Sequence, residues 1–169
     1  TQDHLDVHGT MENYYQAKKL LFDISDSAII NIDDEAGRRY LKEIPCPAKT
    51  YSAEGKADFY AEDIFLSADG VKYVFSDKDS KHNVDFRMPG LFNVSNSLAV
   101  IACCETLGFD VETAIKYINS MQGVRGRAEV VPTGRDFTVI CDYAHTPDAI
   151  VNVLSAIKGS AKGKVKCLF

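Results

Sequence analysis

Residues 137–169 read FTVICDYAHTPDAIVNVLSAIKGSAKGKVKCLF. The first six are rich in β-branched and apolar side chains, which is a strand signal. Thr146-Pro147 follows, an N-cap and then a proline at the first helical position, where its missing N–H has no partner to lose. Ile150, Val153, Leu154 and Ile157 make an apolar stripe at helical spacing. A KGSAKGK loop (158–164) leads into a second strand-like run over 164–169. The spacing predicts a β-α-β unit, the start of a parallel sheet, and so an α/β fold.

Moving toward the N-terminus, 128–132 is strand-like and GVRGRAE (123–129) reads as a linker. Val111, Ala114, Ile115, Ile118 and Met121 form a helix capped by Asp110 and stopped by Gly123. Residues 93–107 form a helix that is apolar almost all round, expected to be buried, with Gly108 at C′. From about 49 to 88 the period changes to two, with Val71, Tyr73 and Phe75 and then Val84, Phe86 and Met88 alternating after an Asp69-Gly70 turn. That pattern predicts a small antiparallel sheet. SAIINI (27–32) reads as a buried strand, and Asp33-Asp34-Glu35 opens a helix to about Ile44. Thr10 caps an earlier helix whose Met11, Tyr14, Tyr15, Lys18 and Phe22 fall on one face, with Lys19 pointing elsewhere. Two units are expected, 1–124 and 125–169.

The chain has 169 residues, 46% hydrophobic and 25% charged, which excludes general disorder. A net charge of −5 argues against a mainly electrostatic nucleic-acid binder. Cys46, Cys103, Cys104, Cys141 and Cys167 include no C-x-x-C pair, so reduced, buried thiols of a cytoplasmic protein are expected. No apolar stretch approaches the ~18 residues of a membrane span. No G-x-x-x-x-G-K-[ST] phosphate loop is present. The chain lacks an initial Met and ends in a strand-like run, so an internal fragment is expected.

Five groups of residues are candidates for chemistry. Asp3, His4, Asp6 and His8 offer ligands for a divalent metal, or form a polar loop before a helix. Lys18, on the apolar stripe, is either a snorkelling lysine or a partly desolvated amine. Asn93 and Asn96 share a face at a helix start. Asn93 reads there as an N-cap, while the Asn96 carboxamide suits the edge of adenine. Asp142-Tyr143-Ala144-His145 follows a strand, where open sheets bind ligands, or is a simple turn. Arg127 suits a phosphate, or is one more surface arginine.

DHLDVHGTMENYYQAKKLLF (3–22), NIDDEAGR (31–38), MPGLFNVSN (88–96), GVRGRAE (123–129) and DYAHTPDA (142–149) together resemble the Mur ligase family, in order and at similar distances. The resemblance covers essentially the whole chain. It is nearest to the branch that adds the third residue to UDP-N-acetylmuramoyl-dipeptide. It implies the second half of a P-loop-type central ATPase domain with a small antiparallel sheet, then the start of a Rossmann-like C-terminal domain. The phosphate loop would lie upstream, and the loop selecting diaminopimelate or lysine downstream.

The implied reaction is ATP-dependent. The dipeptide carboxylate becomes an acyl phosphate, and the amine of a free amino acid displaces phosphate. The resemblance assigns His4 to magnesium, Lys18 to carbamylation with its carbamate on the metal, Asn93 and Asn96 to adenine, Arg127 to the phosphates and Asp142 to the ribose. Phe92 stands where many members carry His. A monomer, with neither nucleic acid nor membrane as partner, is expected. The remaining readings are another Mur-type ligase (D-alanyl-D-alanine-adding enzyme or folylpolyglutamate synthetase) or a non-catalytic nucleotide-binding module.

Overall fold

A computed structural model describes residues 5–67 and 69–169. The elements run α1 (Leu5–His8), α2 (Met11–Lys19), a 3₁₀ turn (Leu20–Ile24), β1 (Ala28–Asn31), α3 (Glu35–Glu43), β2 (Ala48–Ser52), β3 (Phe59–Leu66), β4 (Val71–Ser76), β5 (Lys81–Phe86), α4 (Leu91–Thr106), α5 (Val111–Ser120), β6 (Glu129–Val131), β7 (Val139–Cys141) and α6 (Pro147–Ser160).

Short polar side chains start the helices, because each satisfies an amide that has no intrahelical partner. Thr10 accepts from Asn13 N at 3.1 Å, Asp34 from Ala36 N at 2.8 Å, Asp110 from Thr113 N at 2.7 Å and Thr146 from Ala149 N at 3.3 Å. Gly108, with φ of 84°, ends α4 as its composition suggests.

The expected antiparallel strands are not a separate sheet. They continue a five-stranded mixed sheet in the order β1-β2-β3-β4-β5, in which β1, β2 and β3 run parallel and β3, β4 and β5 antiparallel. β2 and β3 overlap only at Tyr51↔Phe59 and Ser52↔Tyr60. That stagger lets the short 53–58 segment join two parallel strands that would otherwise need a long crossover. α4 packs on β1 to β4, and α5 on β5. The core is Phe59, Val71, Tyr73, Phe75, Val84 and Phe86 against Val94, Leu98, Ile101, Ile115 and Ile118. α3 lies so close to β1 that a Cβ at Gly37 would run into the Asn31 carbonyl oxygen.

Three expectations need correction. α4 is buried on one face only, with Val100 and Cys103 exposed, because a single sheet covers it. The five cysteines are free but none is buried: Cys103 and Cys104 lie on α4, Cys141 ends β7, and Cys46 and Cys167 lie outside the helices and strands. Residues 164–169 form no strand, and the second sheet is the antiparallel pair β6-β7. A β-branched run becomes a strand only where a ladder partner accepts its backbone groups. β7 ladders with β6 alone among the described residues.

Candidate functional site

The Pro89-Gly90 turn feeds α4, with Gly90 at φ of 101° as its N-cap. Asn93 is therefore inside the first turn and is not the cap. Its Nδ2 donates to the Pro89 carbonyl at 2.8 Å, and its Oδ1 accepts from Asn96 Nδ2 at 3.2 Å. Asn93 is 1% exposed, whereas Asn96 is exposed. Ser97 Oγ donates to the carbonyls of Asn93 (2.8 Å) and Val94 (2.9 Å). A serine has one hydroxyl hydrogen, so the 2.8 Å contact with Tyr73 is a bond that Tyr73 donates. Burial pushes the Tyr73 phenol well above its ordinary range, which keeps it protonated for that role.

The segment read as a linker is an ordered turn. Arg127 N donates to Val124 O at 3.0 Å, and Gly126 N to Glu129 Oε2 at 2.8 Å. Ala128 is buried with φ of 46°, a left-handed conformation that costs a residue with a Cβ. Asp142 holds it there. One Asp142 oxygen accepts from Ala128 N and the other from Ala144 N, both at 2.7 Å. The strand end of β7 is thus tied to the 123–129 turn. Arg127 is exposed, lies 5.3 Å over the Tyr143 ring and has no carboxylate partner among the described residues. Tyr143 in turn meets His145 edge-on at 5.0 Å.

Asn93, Asn96, Arg127 and Asp142 line one cleft of about 1030 Å³, together with Phe92, Tyr143 and His145. Its floor is apolar, with Phe86, Met88 and Ile118. A cleft of this size takes a nucleotide. The donor set suits one: a carboxamide for a base edge, a carboxylate with spare lone pairs for ribose hydroxyls, and an unpaired guanidinium for phosphate. Asp33 also lines the cleft, and its carboxylate accepts from Ser52 Oγ and from Ala53 N (2.8 Å). Sequence reading passed over it. The signal was two successive aspartates before a helix, of which only Asp34 caps.

Lys18 is not in this cleft and is not on the inward face of α2. It is exposed, with Nζ 4.8 Å from the Tyr14 ring centroid. The inward residues are Tyr15, Lys19 and Phe22. Tyr15 stacks on Tyr40 at 4.2 Å, Phe22 meets Tyr40 at 5.1 Å and Lys19 pairs with Glu43 at 2.9 Å. The helix tightens to 3₁₀ at Leu20, so Phe22 falls in line with Lys19 at i+3 rather than with Lys18 at i+4. His4 lies outside the described residues. Among the described residues no cluster of three or more His, Cys, Asp or Glu could hold a metal ion.

Compared with known proteins, residues 1–104 match the Mur ligase middle domain and residues 126–169 the Mur ligase, glutamate ligase domain. The chain is 43% identical over 173 residues to UDP-N-acetylmuramoyl-L-alanyl-D-glutamate–2,6-diaminopimelate ligase of Clostridioides difficile (strain 630), covering 100% of this chain and 36% of that protein. It is 41% identical over 167 residues to the protein of the same name in Clostridium tetani, covering 98% and 34%. A solved structure of a ligase of that name matches with a TM-score of 0.78 at 32% identity, over 95% of this chain and 34% of the other. A MurF ligase from Thermotoga maritima in complex with ADP shares the fold, with a TM-score of 0.76 at 23% identity over 93% and 37%. The chain spans about a third of the length of these curated relatives.

Proposed function

The chain belongs to the Mur ligase family, and we propose that its cleft binds the ATP of a ligase that joins 2,6-diaminopimelate to UDP-N-acetylmuramoyl-L-alanyl-D-glutamate in peptidoglycan synthesis. The observation that carries this reading is the convergence of Asn93 and Asn96 from α4, Arg127 from the 123–129 turn and Asp142 from the end of β7 on one cleft. These residues lie up to 49 positions apart (142 − 93) in the sequence. Diaminopimelate rather than lysine follows the names of the relatives at about 40% identity.

In this reading Asn96 faces the base, Asp142 the ribose and Arg127 the phosphates, with Asn93 behind Asn96. The protein's work is positioning and charge stabilisation, and the dipeptide carboxylate is activated as an acyl phosphate before the amine attacks. We place the domain boundary at 124/125, between a family match that ends at residue 104 and one that begins at residue 126. Closure about that turn would bring the Asp142 side of the cleft onto the Asn96 side.

Magnesium, held by His4 and a Lys18 carbamate, belongs to the proposal through family resemblance alone. The described residues do not form a metal centre by themselves. When bound, the ion would neutralise charge on the transferring phosphoryl group. A cytoplasmic monomer completes the proposal. No described helix is long and apolar enough to cross a membrane.

The test is a ligation assay on the complete protein with ATP, the UDP-sugar dipeptide and diaminopimelate. ATP-dependent tripeptide formation is expected, with the Michaelis constant for ATP raised in Asp142→Ala. No ligation by the complete protein, or ligation with an unchanged ATP constant in that variant, would contradict the proposal.

A further inference from the structure

The Pro89 carbonyl can only accept a hydrogen bond, and it lies 2.8 Å from the Asn93 carboxamide. The nitrogen of Asn93 must therefore face Pro89, which turns Asn93 Oδ1 toward Asn96. That oxygen also only accepts, so Asn96 must answer with its nitrogen, at 3.2 Å. One Asn96 N–H is thereby committed. Its Oδ1 and its second N–H remain for the cleft that Asn96 lines. The backbone beneath is held by the chain from Tyr73 through Ser97 to the Asn93 carbonyl. Asn93 itself borders the cleft but is only 1% exposed, so it offers a ligand almost no surface.

From this chain of forced donors and acceptors, and resting on the nucleotide reading of the cleft, we infer that Asn93 is a positioning residue that fixes the Asn96 carboxamide so that the cleft selects a 6-aminopurine over a 6-oxopurine. A 6-aminopurine offers a donor at position 6 beside the N7 acceptor, which matches an amide presenting oxygen and N–H side by side. A 6-oxopurine offers two acceptors on that edge, so its O6 meets Asn96 Oδ1 with no hydrogen between them. Asn96 cannot turn over to accommodate it without setting its oxygen against Asn93 Oδ1. Selectivity is thus set one residue behind the contact.

The experiment is calorimetric titration of the complete ligase with ADP and with IDP, which differ in the base at position 6. Wild type should favour ADP by about 5- to 150-fold, the range for one bidentate amide–adenine pair. Asn93→Ala should shrink that ratio several-fold, and should change it no further in an Asn96→Ala background, since residues acting through one contact are not additive. Additive losses in the double variant, or an unchanged ratio in Asn93→Ala, would overturn the positioning role. Equal binding of ADP and IDP by wild type would overturn the selectivity and leave the nucleotide site standing. That last comparison needs no variant to fold. Binding of neither nucleotide would instead remove the underlying cleft reading.

Discussion

At Asp142 each carboxylate oxygen accepts one backbone N–H, from Ala128 and from Ala144, and keeps a further lone pair for a ribose hydroxyl. Asp142→Ala should weaken ADP binding to the complete ligase by about 1.5–3 kcal/mol, the range for a hydrogen bond to a charged group. The same change should lower the melting temperature, because Ala128 loses the partner that holds its left-handed backbone. Calorimetry and a thermal melt check both, and unchanged ADP affinity would remove Asp142 from the site. Lys18 and Lys19 separate in a different way. Lys18→Arg should nearly abolish ligation, because a guanidinium cannot carry a carbamate. Lys19→Ala should leave ligation in place and lower the melting temperature, since it removes the Glu43 partner. Full ligation by Lys18→Arg would end the carbamate reading. The exposure of Lys18 takes away the desolvation argument for it, so the reading now stands on the family motif.

Between elements, α2 and α3 are clamped by charge and aromatic stacking. Arg39 takes both oxygens of Glu12 at 2.6 and 2.8 Å, bonds Glu43 at 2.9 Å and covers the Tyr15 ring at 4.0 Å. The Arg39 hydrogen bonds, then that from Gln16, hold the Glu12 carboxyl at about 2 against an ordinary 4.5. A carboxyl depressed by folding stabilises fully above its unfolded value and loses that contribution as pH falls toward the folded one. The melting temperature should therefore drop between pH 4.5 and about 2, and Glu12→Gln should flatten the drop. An identical slope in the variant would show that the clamp does not titrate there. At the α3–β1 contact, Gly37→Ala should cost about 1–3 kcal/mol or more, because α3 must lift off Asn31. A denaturant midpoint measures it, and a neutral result would mean that the helix shifts freely. The caps at Thr10, Asp110 and Thr146 were legible in the sequence because capping is local chemistry. The inward turn of Lys19 was not, because helical spacing assumes a regular helix and cannot see the 3₁₀ tightening at Leu20. The absent strand at 164–169 was illegible for another reason: a strand is decided by its partner, which local sequence does not show.

At the scale of the molecule, five motifs scattered along the chain point to the family, and the nucleotide candidates among their residues, Asn93, Asn96, Arg127 and Asp142, line one cleft. Their order along the sequence was readable, but their depth was not. Asn93 reads in sequence as a helix cap and Asn96 as a base contact, yet both border the cleft, Asn93 buried with its amide on Pro89 and Asn96 exposed. Asp142 reads in sequence as a ligand contact or as part of a simple turn, and its grip on Ala128 depends on the 123–129 turn folding back onto the end of β7. With no phosphate loop in its sequence, this 169-residue chain should show no ATPase or ligase turnover by itself. A phosphate-release assay on the purified chain checks this, and measurable turnover would contradict it. The most direct test of the central claim, that the cleft is the nucleotide site of a Mur ligase, is a crystal structure of the complete ligase with ADP bound. The base should lie within hydrogen-bond reach of Asn96, and the ribose should contact the Asp142 carboxylate. ADP bound elsewhere, with Asn96 and Asp142 both free of it, would contradict the claim.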